Sequence, residues 1–371
     1  MKRHILSFVI LASISIGSFA QSAYQFTNIS NKKAYEVENQ CATGTCWSYA
    51  TSSFIEAEMA RLGAPLVDIS EMANVRYIYP LKAASYVRFQ GKQQFGPGGL
   101  SHDVITAIRE YGLVPESAYT GLKNGETFHD HGAMDAFLEG TVNTVLKSKM
   151  NENGMDWMTA VNGILDSYLG PLPTEFNFNG KKYTPISFRD EMKINPDNYV
   201  SLSSFTHHPY YSPFVLEVPD NWAKGSFYNL PLDEFQKVID YALDNGFTIA
   251  WDADVSEKGF SFKYGMAIVP EDGVAKDQLF NTVVKEKTIT PEMRQSAYES
   301  FETTDDHLMH ITGKAKDQNG NIYYIIKNSW GTNNPYGGYQ YVSLAYLKYK
   351  TVSLVLHKDG IPTDVKKKLG L

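Results

Sequence analysis

A glutamine and a cysteine six positions apart, Gln40 and Cys46, have the residue types that acyl-transfer chemistry requires. Apolar residues at helical spacing follow the cysteine, so we expect a helix to begin at it. A helix N-terminus favours the thiolate, which is the nucleophilic form of the side chain. The Gln40 amide and the Cys46 backbone N–H can both donate to negative charge on an attacked carbonyl oxygen. The segment predicts a nucleophile beside an oxyanion donor, and the alternative is a buried structural cysteine beside a loop glutamine.

A second group of polar residues lies far downstream, where two apolar runs flank the turn signal Asn319-Gly320. Such a pattern predicts an antiparallel hairpin. With a four-residue loop over 317–320, the register places His307 opposite Trp330 and puts Asn328 two residues away on the same face. We therefore expect the amide to hydrogen-bond the imidazole and the indole to shield that bond from water.

These two groups together predict a cysteine hydrolase or transferase. Cys46 is expected to be the nucleophile, His307 the general acid and base, and Asn328 the group that orients the imidazole. His310 is the rival for the imidazole role, but at three residues along the strand it is expected to face the opposite side.

The same segments resemble the three catalytic blocks of the papain superfamily of cysteine peptidases, which occur in this order. The matching segments are 39–47, 305–313 and 328–331. The finer resemblance is to the bleomycin hydrolase and aminopeptidase C branch, through the spacing before Cys46-Trp47, the stretch 304–310 and a Gly-Pro-Leu-Pro signal at 170–173. This resemblance implies a hydrolase that cuts peptides, most readily as an aminopeptidase, and relatives that assemble as hexamers.

The resemblance also implies an α+β, papain-like fold of two lobes with the cleft between them. A single peptidase domain over 21–371 would then comprise a helical lobe at about 30–120, a helical insertion at about 121–200 and a β-rich lobe at about 200–371. The glycine-rich turn at 95–100 resembles the wall of the substrate cleft, so Gly98, Gly99 and Trp330 are expected to contact substrate. Glycine allows close approach of another backbone, although a simple connecting turn is the alternative.

Composition narrows the possible functions. The chain has 371 residues, 43% of them hydrophobic, which is enough for a large core. Its net charge is −7, and the basic run Lys366-Lys367-Lys368 is too short to indicate a nucleic-acid surface. The two cysteines, Cys41 and Cys46, lack the spacing and partners of a zinc site, so we expect neither a metal nor a cofactor.

The first twenty residues are typical of a cleaved signal peptide. A positive segment, Met1–His4, precedes the apolar run 5–17, and Ser18-Phe19-Ala20 fits the small-x-small cleavage rule. The run is too short for a typical spanning helix, and no cysteine follows the cleavage site to carry a lipid anchor. The pattern predicts a periplasmic or secreted protein.

Export bears on how the cysteines are interpreted. No disulfide is available that spares the nucleophile, so Cys41 is expected to be a free, partly buried thiol. A bond between Cys41 and Cys46, formed under oxidation and silencing the enzyme reversibly, is a further hypothesis.

Three alternatives to an aminopeptidase remain. The relatives end in an arm that enters the cleft, whereas Leu371 comes about a dozen residues early, so an open cleft would make the protein an endopeptidase. A catalytically inactive binding protein would typically have lost one of the four residues Gln40, Cys46, His307 and Asn328, all of which are present. A transglutaminase-like enzyme would commonly use an aspartate where this chain has Asn328.

Overall fold

The fold was analysed in a computed structural model that describes residues 22–123, 125–148 and 156–371. The predicted signal peptide lies outside these residues. The helices are α1 (Cys46–Arg61), α2 (Glu71–Arg88), α3 (Ser101–Glu110), α4 (Gly132–Ser148), α5 (Trp157–Tyr168), α6 (Pro185–Glu191), α7 (Leu232–Asp244), α8 (Pro291–Glu299), α9 (Leu344–Lys350) and α10 (Thr363–Leu369). Helix α1 begins at Cys46, as the sequence predicted.

The strands form one large sheet and one small hairpin. They are β1 (Thr27–Asn31), β2 (Phe176–Phe178), β3 (Lys181–Tyr183), β4 (Tyr199–Ser203), β5 (Pro213–Val215), β6 (Ser226–Asn229), β7 (Ile249–Ala253), β8 (Phe260–Ser261), β9 (Met266–Ala267), β10 (His307–Lys316), β11 (Ile322–Lys327), β12 (Tyr339–Ser343) and β13 (Thr351–His357). The eleven-stranded sheet has the order β5-β6-β4-β13-β7-β10-β11-β12-β9-β8, with β1 paired to β10. This mixture of helices and sheet confirms the α+β class.

The sheet is covered on both faces, and each face has its own core. On one face, the helices from α1 to α5 pack with Ala250, Leu308 and Val355. On the other face, α7, α9 and α10 pack with Trp251 and Met309. Alternate residues of β7 and β10 therefore serve opposite cores, as expected for a strand buried on both faces. Among the described residues, no helix combines the length and the apolar character needed to cross a bilayer.

Helix α1 is buried on almost every side, which differs from the one-sided apolar pattern expected from the sequence. Fourteen of its sixteen residues are buried. Its polar side chains make this possible because they bond to neighbouring elements. The Ser48 hydroxyl donates to the backbone oxygen of Glu71 at 2.8 Å, and Asn74 donates to Ser52 at 3.1 Å. Small hydroxyl side chains thus let α1 run through the middle of the molecule with most of its polar side chains satisfied, although the buried Thr51 hydroxyl has no partner among the described residues.

The β10–β11 hairpin corrects the predicted loop while keeping the predicted register at the site. Lys316 pairs with Ile322, so the loop has five residues and not four. A bulge between Ile311 and Gly313 then shifts the pairing by one residue, and His310 pairs with Lys327. The loop has one residue more than predicted, which shifts the pairing by one position. The bulge adds one residue to β10 and so shifts the pairing back. Beyond the paired residues, the register therefore still places His307 opposite Trp330.

The N-terminal strand β1 is a feature that the sequence patterns did not indicate. It pairs antiparallel with the end of β10, from Thr27 opposite Lys316 to Asn31 opposite Gly313. The beginning of β10 instead pairs with β7 along the same edge. β10 is thereby held along its whole length, and its first residue is His307.

Candidate active site

Cys46 is the first residue of α1 and is 8% exposed. Its backbone N–H, in the first turn of the helix, has no intrahelical acceptor and is free to bond a ligand. The sulfur accepts a hydrogen bond from the backbone N–H of Leu308, the residue after His307. Burial nevertheless raises the pKa of the thiol to about 12, and the negative charges of nearby aspartates add to this effect. Burial therefore opposes the thiolate that the helix N-terminus favours, and the thiolate stays a prediction.

His307 and Asn328 are joined by a hydrogen bond of 2.8 Å between Nε2 and Oδ1. The orientation of the amide follows from its other contacts, because Oδ1 also accepts the backbone N–H of Ser329 at 2.6 Å. Its Nδ2 donates to Gln340 at 2.7 Å. The histidine proton must then lie on Nε2, which leaves Nδ1 as a proton acceptor. Burial lowers the pKa of His307 to about 4, so the imidazole is neutral at neutral pH.

Trp330 covers this pair, as the register predicted. Its ring stacks on the His307 imidazole with centroids 4.6 Å apart and an interplanar angle of 30°. Phe262 packs edge-on against the indole at 5.5 Å. These aromatic rings exclude water from one side of the imidazole.

His310 lies on the opposite side of β10 and does not belong to this arrangement. Its Nδ1 bonds the hydroxyl of Ser53 on α1 at 2.9 Å. The same hydroxyl accepts a hydrogen bond from Lys327 at 2.8 Å. His310 is fully buried, and burial lowers its pKa well below the usual value. It acts as a structural contact between α1 and the sheet.

Gln40 is tied to the segment that carries Asn328. Its backbone N–H donates to the Ser329 oxygen at 2.9 Å, and its Oε1 accepts the Ser329 hydroxyl at 2.7 Å. Its Nε2 donates one hydrogen to the Thr43 oxygen at 2.9 Å. The amide is therefore fixed in orientation, and its second N–H hydrogen is available to an oxyanion.

Comparisons with known proteins agree with this geometry. The profile of the Peptidase C1-like family matches residues 85–370, a range that includes His307 and Asn328 and begins after Cys46. The chain belongs to the Peptidase C1-like family. It is a cysteine peptidase of the papain superfamily, in the bleomycin hydrolase and aminopeptidase C branch.

Curated relatives and solved structures cover most of the chain. Aminopeptidase C of Lactobacillus delbrueckii subsp. lactis is 24% identical over 89% of this chain and 81% of its own length. Cysteine proteinase 1, mitochondrial, of Saccharomyces cerevisiae is 19% identical over 92% of this chain and 79% of its own. The crystal structure of PepW from Lactobacillus rhamnosis HN001 superposes with a TM-score of 0.73 at 20% identity, covering 93% of this chain and 84% of that one. This likeness confirms the papain-like fold.

The glycine-rich turn of this Peptidase C1-like chain is fixed beside the nucleophile. The Trp47 indole N–H donates to the Pro97 oxygen at 2.9 Å, and the Lys82 ammonium donates to the oxygens of Gly96 and Gly98. A Cβ on Gly98 would lie 2.0 Å from a carboxylate oxygen of Asp220. A side chain at this position would therefore collide with that carboxylate.

Position 99 also has no room for a side chain. A Cβ there would lie 2.8 Å from Asp103 and 3.2 Å from the Trp47 ring. Close packing thus explains why both positions are glycine. The predicted contact of these glycines with substrate stays a prediction.

Several residues at the Peptidase C1-like site gave no signal in the sequence. Ser329 and Gln340 position Gln40 and Asn328, yet neither residue type is unusual in a strand or loop. Three aspartates whose charges act on the Cys46 thiol come from separate segments of the chain, namely Asp220, Asp252 and Asp305. The tandem acids at 305–306 were visible next to His307, but the other two could not be placed without the fold.

Two groups in the described part of the chain bring potential metal ligands within 4.8 Å of one another. One is His207, His208 and Glu217, and the other is Glu38, Asp68 and Glu71. In the first group both imidazoles already bond the Glu217 carboxylate, at 3.2 and 2.7 Å. Neither group includes a residue of the predicted site.

Both cysteines are free thiols, with Cys46 buried and Cys41 half-buried as predicted. Cys41 has a left-handed backbone with a φ of 55°. Its thiol donates to the Asn39 oxygen at 3.3 Å, and its backbone N–H donates to the Asn39 side chain at 2.9 Å. The proposed oxidative bond to Cys46 stays a prediction.

Proposed function

We propose that this cysteine peptidase is an aminopeptidase that removes residues from peptide N-termini through a thioacyl-enzyme on Cys46. The observation that carries the catalytic assignment is the His307–Asn328 hydrogen bond of 2.8 Å, directly beside a sulfur held by the Leu308 N–H. The names of the curated relatives, among them several enzymes called aminopeptidase C, support the choice of exopeptidase.

The reaction begins with a neutral thiol and a neutral imidazole. His307 Nδ1 takes the thiol proton as the sulfur attacks the scissile carbonyl carbon. The Gln40 amide and the Cys46 backbone N–H donate to the oxygen as it becomes negative. The protonated imidazole is held in place by Asn328, and it gives its proton to the leaving amine.

Hydrolysis of the thioacyl-enzyme uses the same groups. A water molecule loses its proton to His307 as it attacks the thioester carbon, and the oxyanion donors again stabilise the tetrahedral intermediate. Collapse of this intermediate releases the amino acid and returns the proton to sulfur. Substrate contact by Gly98, Gly99 and Trp330 is part of this proposal.

The test offers one oligopeptide to the mature protein under reducing conditions, with either a free or an acetylated N-terminus. Mass spectrometry should find stepwise loss of N-terminal residues from the free peptide alone. Internal cuts in both peptides would identify an endopeptidase with an open cleft. The Cys46→Ala variant is the control and should cut neither peptide; a fully active variant would refute the mechanism, and an inactive wild-type protein would favour a binding role.

We also propose that the protein is exported and that its mature chain begins at Gln21. The support is the order of positive, apolar and small residues before this position. N-terminal sequencing of protein recovered from the periplasm or medium should begin at Gln21, whereas cytosolic protein that retains Met1 would contradict export. The hexamer implied by the resemblance is tested by multi-angle light scattering of the same preparation.

A further inference from the structure

Three aspartates lie near the catalytic residues, Asp220 against Gly98 and Asp252 opposite Leu308 in the β-ladder, and we refer to them with Asp305 as the aspartate cluster. Asp220 lies between β5 and β6, Asp252 lies on β7, and Asp305 lies just before β10. All three charges act on the thiol, and the charge of Asp220 also acts on the other two carboxyl groups. Like charges of this kind are costly to hold together in a buried place unless something compensates them.

Asp252 has the most unusual environment of the three. It is 1% exposed, and its Oδ2 accepts the Ser353 hydroxyl at 3.0 Å. Its Oδ1 is buried and has no hydrogen-bond donor among the described residues. In the β-ladder Asp252 pairs with Leu308, whose N–H bonds the Cys46 sulfur, so its side chain lies on the same face of the sheet as α1. The free oxygen is therefore on the nucleophile's side.

Asp305 also has a buried carboxylate oxygen without a hydrogen-bond donor in the described chain, namely Oδ2. The carboxyl group of Asp305 bonds that of Asp252. Two carboxyl groups bond one another only by sharing a proton, so a proton and not a cation offsets part of the charge of this pair. The adjacent Asp306 differs, because it accepts hydrogen bonds from two backbone N–H groups and from the Thr304 hydroxyl at 2.7 Å.

One lysine contributes a positive charge near the cluster. The Lys82 charge lowers the pKa of Asp220, although burial and Asp103 raise that pKa overall. The Lys82 ammonium is directed to the oxygens of Gly96 and Gly98 in the glycine-rich turn. The Asp252–Asp305 pair receives no donor from it, so the cluster still lacks a counter-ion.

The geometry of a peptide substrate places a cation at this position. When the scissile carbonyl carbon lies on the Cys46 sulfur, the α-nitrogen of the same residue is only two bonds away, roughly 2.5 Å from that carbon. In a peptide with a free N-terminus this nitrogen is an ammonium group with three donors. An anion that selects it must lie close to the thiol, and the charges of all three aspartates act on that thiol.

We propose that Asp220, Asp252 and Asp305 form the subsite that binds the free α-ammonium group of the substrate and thereby restricts the cleft to peptide N-termini. This inference rests on the proposed aminopeptidase function. An ammonium group bound there supplies the missing counter-ion for the paired carboxyl groups. It also offsets the negative charge that opposes ionisation of the Cys46 thiol, so correct binding makes the nucleophile easier to deprotonate.

The test measures kcat/KM on two coumarin amides, alanyl and acetyl-alanyl, for the wild-type enzyme and for Asp220→Asn and Asp252→Asn. Asparagine keeps the shape of the side chain and removes the charge, and Asp272→Asn, at an exposed position, is the matched control. Circular dichroism and thermal unfolding of each preparation separate a misfolded variant from a folded one with weaker binding.

We expect both cluster variants to lose about 10- to 100-fold in kcat/KM on the free amide, chiefly through KM, as for a charge-assisted hydrogen bond. The preference for the free over the acetylated amide should fall by the same factor, with Asp272→Asn unchanged. An unaltered preference in both folded variants would refute the aspartate cluster alone. Wild-type enzyme that cuts both amides equally would refute the aminopeptidase proposal as well.

A third amide, acetyl-lysyl, separates the α-ammonium group from a side-chain ammonium. We expect the wild-type enzyme to leave it uncut, because its α-nitrogen carries no charge. Efficient cleavage that depends on Asp252 would mean that the cluster binds a basic side chain, and it would overturn the assignment to the N-terminus.

Discussion

The two reacting side chains, Cys46 and His307, share the same physical condition, which is burial. It raises the pKa of the thiol and lowers that of the imidazole, so it opposes charge on both groups. Transition-state charge must then be stabilised by groups already oriented, because water is excluded by Trp330 and its neighbours. The hydrogen bonds of Gln40 and Asn328 supply that orientation.

Gln40→Ala tests the oxyanion donor. We expect kcat to fall by ~10²- to 10³-fold, the usual effect of removing one such donor. KM should change little, because the charge develops only in the transition state. Steady-state kinetics measure the effect, and thermal unfolding monitors the loss of the bonds to Thr43 and Ser329. An unchanged kcat in a folded variant would remove Gln40 from the mechanism.

The two histidines of β10 should behave in opposite ways. His307→Ala should abolish turnover in a protein that still unfolds cooperatively. His310→Ala should keep most of the turnover but lower the melting temperature, since it leaves a cavity and removes the partner of Ser53. Kinetics and thermal unfolding on both variants check this, and loss of turnover in a folded His310→Ala variant would reopen the assignment.

At the scale of elements, the α1–β10–β11 unit shows what the sequence allowed us to predict. The start of α1 and the β10–β11 hairpin follow from local patterns, and both are confirmed. The five-residue loop and the bulge escaped prediction because apolar alternation does not reveal a single extra residue that a later bulge offsets. The pairing of β1 with β10 and the three aspartates escaped because they join segments that are distant in sequence.

Lys327 connects β11 to α1 and provides a test at this scale. It is 6% exposed, it donates to Ser53, and its charge opposes the burial that raises the pKa of Glu56 on α1. Lys327→Met should lower the free energy of unfolding by about 1–3 kcal/mol, because it removes the donor to the buried Ser53 hydroxyl and a positive charge near the buried Glu56. Denaturant unfolding measures this, with the exposed Lys285→Met as a control that should match the wild type. A change below about 1 kcal/mol would mean that Glu56 is compensated elsewhere.

At the scale of the whole molecule, buried titratable groups determine how stability depends on pH. Burial and nearby carboxylates raise the pKa of Asp68 to about 7 and that of Glu116 to about 8. Such groups stabilise the fold below their unfolded pKa, and this stability is lost as the pH rises through the folded value. Burial lowers the pKa of His131 and His357 to about 4, so their contribution grows up to about pH 6.5 and is then constant.

Above about pH 6.5 the stabilisation by the protonated carboxyl groups is lost, so the melting temperature should fall between pH 6.5 and 8. Glu71→Gln should reduce this fall, because burial and the charges of Glu38 and Glu56 raise the Glu71 pKa well above its usual value. Differential scanning calorimetry at pH 5, 6.5 and 8 checks both statements, with the exposed Glu139→Gln as the control. A melting temperature that rises towards pH 8 would contradict the assignment of these groups as protonated.

The path of the chain through the sheet has a consequence for the cell that makes this enzyme. Helix α1 and strand β10 meet through Ser53 and His310, which are 257 residues apart in the sequence. Strand β1 can likewise form its pairs only after the end of β10 has been synthesised. The nucleophile is therefore synthesised early, while its base and orienting amide emerge only when most of the chain has been made. A growing or translocating chain carries an isolated cysteine without a proton acceptor, so the peptidase acquires its activity only on completion and its producer is spared premature cleavage.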